Sequence, residues 1–100
     1  MPYIAQKSRK IIDPYLHSLF EIIDGCEVGD LNYIITKIIH KWIKETGLAY
    51  RNINAAIGIL ECAKLELYRM IAAPYEDLKI KENGNISQLD TNDDNCLNTA

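Results

Sequence analysis

Four acidic side chains stand where a metal ion could be sought. Glu21 and Asp24 are three residues apart, which puts them on one face of a helix. Glu61 and Glu66 are five apart, which turns them about 140° away from each other. Carboxylate pairs on facing helices can hold magnesium for nucleotide pyrophosphate hydrolysis, but several must converge on one ion. Only Glu21-x-x-Asp24 has the spacing, and it reads as a solvated helix end. His17 and His40 each lack a second ligand at i+3 or i+4, so they read as solvent-facing histidines. No spacing ties Cys62 to either histidine, and it reads as a small packing residue. Cys26, Cys62 and Cys96 are odd in number and form no C-x-x-C pair, which fits reduced thiols in a cytoplasmic compartment. The expectation is no catalytic residue, no metal and no cofactor.

The basic residues offer more. Lys37, Lys41 and Lys44 are spaced i, i+4, i+7 beside His40, a face that could hold a phosphate or a carboxylate. Arg69, Tyr75 and Lys79 gather with Glu76, Glu82 and Asn83 around Pro74. Arg69 can grip an anion in a fork, and Tyr75 can stack on a base. Lys37, Lys41, Arg69, Tyr75 and Lys79 are therefore the candidate contacts for a small anion. Bulk charge contributes nothing to such a site: residues 1–84 carry eleven basic and eleven acidic side chains, and Asp90, Asp93 and Asp94 supply the whole net charge of −3. Generic nucleic-acid binding, which feeds on a basic surplus, is not expected.

These side chains must be carried by helices. Leu31, Ile34, Ile35, Ile38, Ile39, Trp42 and Ile43 recur at three and four residues, the period of one helix face. A first helix is expected to open at Asp13-Pro14 and close at Asp24-Gly25, with a separate turn over Ser8 to Ile12. A second spans about 30–46, from a cap at Gly29-Asp30 to Thr46-Gly47. A third, about 51–72, would run ~33 Å at the usual rise. Pro74 should break it and open a short helix closed by Gly84. The rival for this stretch is a hairpin turning on Asn83-Gly84. The fold class is all-α: three main helices, a short C-terminal helix after Pro74, and a disordered polar, acidic tail. The domain covers 1–84 and the tail 85–100, whose Asn, Asp, Ser and Thr cannot offset the entropy of ordering. No apolar run approaches the ~20 residues of a membrane span, and no secretory signal opens the chain.

The third helix also has a second face. Ala55, Gly58 and Cys62 are small and helically spaced, and Leu65 and Tyr68 lie near them, off the main apolar stripe. A domain of this size buries only about 60–65% of its unfolded surface. A helix buried on two sides would explain this second face, the second side being covered by the same chain or by a second subunit; the favoured reading is a homo-oligomer with Ala55, Gly58, Cys62, Leu65 and Tyr68 at its interface.

Gly29-Asp30-Leu31-Asn32-Tyr33, the run from Ile53 to Arg69, Pro74-Tyr75-Glu76-Asp77 and Glu82-Asn83-Gly84, together with the opening Met1-Pro2-Tyr3-Ile4, resemble a short domain family of unknown function. The likeness covers about residues 1–86. It implies a standalone protein from phage, bacterial or archaeal genomes, often encoded by viruses or mobile elements, and no known chemistry. Family members often continue Asn-Gly with Asp, where this chain has Asn85.

The favoured reading is a non-enzymatic, oligomeric, cytoplasmic binding module for a small nucleotide-like anion or a host protein. Its alternatives are an interaction adaptor without a small ligand and, third, an all-α enzyme of the nucleotide pyrophosphatase kind.

Overall fold

The computed structural model describes residues 2–90 and is helical almost throughout, with no strand among those residues. Its elements are α1 (Gln6–Ile23), α2 (Val28–Thr46), α3 (Tyr50–Leu67), a π-turn (Tyr68–Ala72), α4 (Ala73–Asn83) and one 3₁₀ turn (Gln88–Asp90). The chain divides into two units, Met1–Ala63 and Lys64–Ala100, and the division falls inside α3.

In the first unit, α1 starts earlier than Asp13-Pro14 would suggest. It runs from Gln6 straight through Pro14, so Ser8 to Ile12 is no separate turn. Proline in a helix interior leaves the carbonyl four residues back without a donor and crowds it. Ile12, Leu16, Leu19 and Ile23 keep one stripe across the proline, of which Leu19 and Ile23 are half-buried. The Ser8 and Arg9 amides donate to the Ala5 carbonyl, and Arg9 Nε donates to the Ile4 carbonyl at 2.8 Å, which tie the chain entry to the first turn.

The start of α2 is a capping box. Asp30 Oδ2 accepts the Glu27 amide at 2.9 Å, and the Glu27 side chain accepts the amide of Asp30 in return. Glu27 is thus the cap, two residues ahead of the expected Gly29, and both acids also suit the positive end of the helix dipole. Gly47 ends α2 at φ +111, ψ 145, a conformation essentially confined to glycine, while its amide donates to the Ile43 carbonyl at 2.8 Å. Asn52 in the first turn of α3 reaches back across this corner. Its Nδ2 donates to the Thr46 carbonyl at 3.1 Å and to the Gly47 carbonyl at 2.8 Å. One side chain thereby satisfies carbonyls that the end of α2 leaves open.

In the second unit the expected break at Pro74 is a π-turn. The Ala73 amide donates to the Tyr68 carbonyl, five residues back, and α4 follows directly with Pro74 in its first turn. Pro74 has no amide to give Met70, and its ring would press on that carbonyl. Inserting one residue into the turn relieves the clash and lets the helix continue. Gly84, at φ +86, closes α4 with its amide on the Ile80 carbonyl at 2.7 Å. Leu78 to Asn83 is therefore helix, and the hairpin alternative does not occur. Residues 85–90 make a bend and the 3₁₀ turn, where Asp90 Oδ2 accepts the Ile86 amide at 2.7 Å. The rest of the expected tail, residues 91–100, lies outside the described residues.

Burial is shallow. Among the described residues only Ala56 of α3 is buried, at 4% exposure, and no large side chain is fully covered. Contacts between α1, α2 and α3 are sparse. Ile34, Ile39, Trp42 and Ile43 of α2 and Ile53 of α3 are half-buried, while Ile35, Ile38, Ile57 and Leu60 stay exposed.

Candidate functional site

The candidate anion contacts fall into two groups, one in each unit. On α2, Lys41 Nζ pairs with Glu45 at 2.6 Å, and Lys37 Nζ lies 5.8 Å from the centre of the Tyr33 ring. Both are local contacts, one turn apart on an exposed face. In the second unit, Arg69 lies 3.5 Å from Glu66, and Lys79 pairs with Glu82 at 3.1 Å. Lys79 Nζ also stands 5.5 Å from the centre of the Tyr75 ring. Each of these cations already faces a carboxylate or a ring of its own helix, and an anion would have to displace or join those partners.

The junction between α3 and α4 carries the most specific contact of the second unit. Tyr68 Oη donates to Glu76 Oε2 at 3.1 Å, across eight residues. In an unbroken α-helix, positions eight apart point about 80° away from each other. The residue inserted by the π-turn removes that offset, so the pair behaves like i, i+7 and meets on one face. The hydroxyl is exposed, yet its pKa is raised above the ordinary tyrosine value, first by the hydrogen bond to Glu76, then by the charge of that carboxylate, with smaller contributions from partial desolvation and Asp77. π-turns often mark functional places in helices. Here the turn is accounted for by Pro74.

The expected interface face is laid out along α3. Ala55, Gly58, Leu65 and Tyr68 are exposed, and Cys62 is half-buried. A methyl group added at Gly58 would meet nothing within 4 Å. Cys62 lines a pocket of about 210 Å³ with Pro2, Ile59 and Ala63. A second, wider groove of about 440 Å³ lies between α2 and α3, lined by Val28, Leu31, Asn32, Ile35, Thr36 and Leu60. None of its lining side chains is charged. The sequence shows Leu31 and Ile35 on one apolar face of a helix and does not single out this groove. The signal for it was the excess of apolar residues on α2 over what so short a chain can cover.

Among the described residues no group of three or more His, Cys, Asp or Glu side chains is arranged to hold a metal ion. Glu21, Asp24 and Glu61, all in the first unit, accordingly belong to no such group. No described helix is long and apolar enough to cross a membrane.

Helices with half-covered apolar faces and local ion pairs, and no metal-ligand cluster among the described residues, define a small all-helical module. The chain belongs to the family described as "Domain of unknown function (DUF6899)", which matches residues 1–86. No curated protein and no solved structure matches the chain.

Proposed function

We propose that this protein is a non-enzymatic helical interaction module that works as a homo-oligomer. The observation that supports it is the covering of its apolar side chains: among the described residues Ala56 alone is buried, while aliphatic residues recur at helical spacing along exposed faces. Folding costs about 1–2 kcal/mol of backbone entropy per residue, and apolar burial is the main term that offsets it. Side chains left half in water supply about half of that term. A second surface therefore completes the fold, and the one partner present whenever the chain is made is the chain itself. An accessory role in a virus or mobile element is part of the proposal and rests on the sequence resemblance alone.

Sedimentation velocity or native mass spectrometry at tens of micromolar tests the reading. A stable dimer or higher assembly is the expected result, and a folded monomer at that concentration overturns it.

Binding of a small nucleotide-like anion is the second reading. It is suggested by Arg69, Tyr75 and Lys79 lying within eleven residues about the π-turn, and weakened by the carboxylates of Glu66 and Glu82 beside the two cations and by the offset of about 140° between Arg69 and Tyr75 once the inserted residue is counted. Calorimetry against nucleotides and cyclic dinucleotides decides it. Heat lost in Arg69→Ala and Tyr75→Ala supports an anion site, and no heat with any of them removes it.

A further inference from the structure

The self-association proposed above leaves open which surfaces meet. We infer that two copies pair through α2, antiparallel, about a two-fold axis near Ile34 and Ile35. This rests on the homo-oligomer reading and specifies its interface.

Three observations lead to α2. First, Val28, Leu31, Ile35, Ile38 and Trp42 are spaced three, four, three and four residues apart, the seam of a helix that packs lengthwise on another. The structure leaves this seam uncovered along most of its length: Val28 is 84% exposed, Leu31 37%, Ile35 50% and Ile38 54%, and only Trp42 at the far end is half-buried. Together these residues expose about two whole aliphatic side chains on one helix face. Second, Val28, Leu31 and Ile35 of the seam also line the uncharged groove, to which Leu60 of α3 adds one further apolar side chain. A standard interface takes about 800 Å² from each partner, so seam, groove and flanks must all take part.

Third, the charges of α2 fit a second α2 turned end for end. From its cap at Glu27 to Thr36 the helix carries Glu27 and Asp30 and no Lys or Arg; from Lys37 to Thr46 it carries Lys37, Lys41, Lys44 and only one acid, Glu45. Glu27, Ile34 and Lys41 are seven residues apart and form one row beside the seam. In an antiparallel pair such a row faces its own copy reversed. The Glu27 carboxylate, which also accepts the Asp30 amide of its own chain, then meets Lys41 of the second copy at both ends, with the half-buried Ile34 nearest its own copy between them. A parallel pair would set Glu27 against Glu27 and Lys41 against Lys41, and like charges at close quarters select against it. The exposed Lys41–Glu45 contact competes little, because exposed ion pairs of this kind contribute only weakly. Glu45 itself would face position 23, ahead of the first turn of α2, outside the overlap of the two helices.

Acids at one end of α2 and bases at the other also suit the helix dipole, and a second copy turned end for end brings these complementary ends together over the uncovered seam.

Engineered disulfides test the geometry in the full-length chain with Cys26, Cys62 and Cys96 replaced by serine. Ile35→Cys, near the axis, should give covalent dimer as the main product on mild oxidation. Tyr33→Cys, on the polar side of the same helix, should give little. A mixture of Leu31→Cys and Ile38→Cys chains should form the mixed disulfide in preference to either homodimer, which only the antiparallel arrangement allows. Should Ile35→Cys lose helicity by circular dichroism, the Leu31→Cys and Ile38→Cys mixture decides alone. A dimeric protein that is not crosslinked through α2 overturns the inference while the homo-oligomer reading stands. A folded monomer overturns both, and leaves the seam to a different protein.

Discussion

Removing the Asn52 amide should loosen the corner between α2 and α3. In the structure this half-buried side chain gives two hydrogen bonds, at 3.1 and 2.8 Å, to the carbonyls of Thr46 and Gly47. A net intramolecular hydrogen bond contributes about 0.5–1.5 kcal/mol. The Thr46 contact is exposed and belongs at the low end, since water replaces it at once; the Gly47 contact is shorter and partly shielded. Asn52→Ala should therefore cost about 1–2 kcal/mol. For a domain of this size each kcal/mol moves the melting temperature by about 4–8 °C, so a fall of roughly 5–15 °C is expected. The assay is thermal unfolding by circular dichroism at one fixed protein concentration, with Asn52→Asp beside it, which keeps the shape but cannot donate. Asn52→Asp should lose nearly as much as Asn52→Ala. A melting temperature within a degree of wild type in both variants would refute the reasoning, and would mean that water serves those carbonyls as well as the amide does.

Gly58→Ala should raise stability by about 0.5–1 kcal/mol, read by urea unfolding, because the added methyl meets open space and glycine is costly inside a helix. It should leave the subunit count unchanged if copies meet through α2, whereas a loss of assembly would place them on the small-residue face of α3. Glu76→Gln should lower the pKa of Tyr68 toward the ordinary tyrosine value, seen by ultraviolet difference absorbance during alkaline titration. The sign follows from linkage: because the folded-state pKa is raised, the Tyr68–Glu76 contact supports the fold below the unfolded pKa of about 10 and is lost as pH climbs through the higher folded value. Lys41→Glu should weaken self-association at least tenfold at low salt, with a smaller loss at high salt, as sedimentation would report.

Much of the fold was legible from spacing. The three-and-four rhythm of α2 gave the helix, and Gly47 and Gly84 marked two helix ends because each adopts a backbone angle that other residues resist. Local rules failed where tertiary or cooperative effects outweighed them. Asp13-Pro14 has the chemistry of a helix start, yet α1 runs through the proline and keeps one stripe from Ile12 to Ile23. Pro74 has the chemistry of a break, yet a helix already formed on both sides keeps its path by adding one residue to a turn. No sequence period announces that residue. Its consequence, Tyr68 meeting Glu76 eight positions on, could be recognised only with the turn in view. The candidate anion contacts were legible as residue types but not as partners, since Arg69 toward Glu66 and Lys79 toward Glu82 are choices among side-chain rotamers. Glu27 and Asn52 were passed over because each acts through backbone groups of another turn. Burial was the least legible feature: an apolar stripe shows that a face wants covering, and says nothing of whether the same chain supplies the cover.

The central claim is that the fold is completed by association, and the dependence of thermal stability on protein concentration tests it most directly. An assembly that unfolds to separated chains gains stability by mass action. The melting temperature of the wild-type chain should therefore rise steadily as concentration is raised from low micromolar to hundreds of micromolar. A cooperative transition whose midpoint stays fixed over that range would show that one chain folds by itself, and would contradict the account.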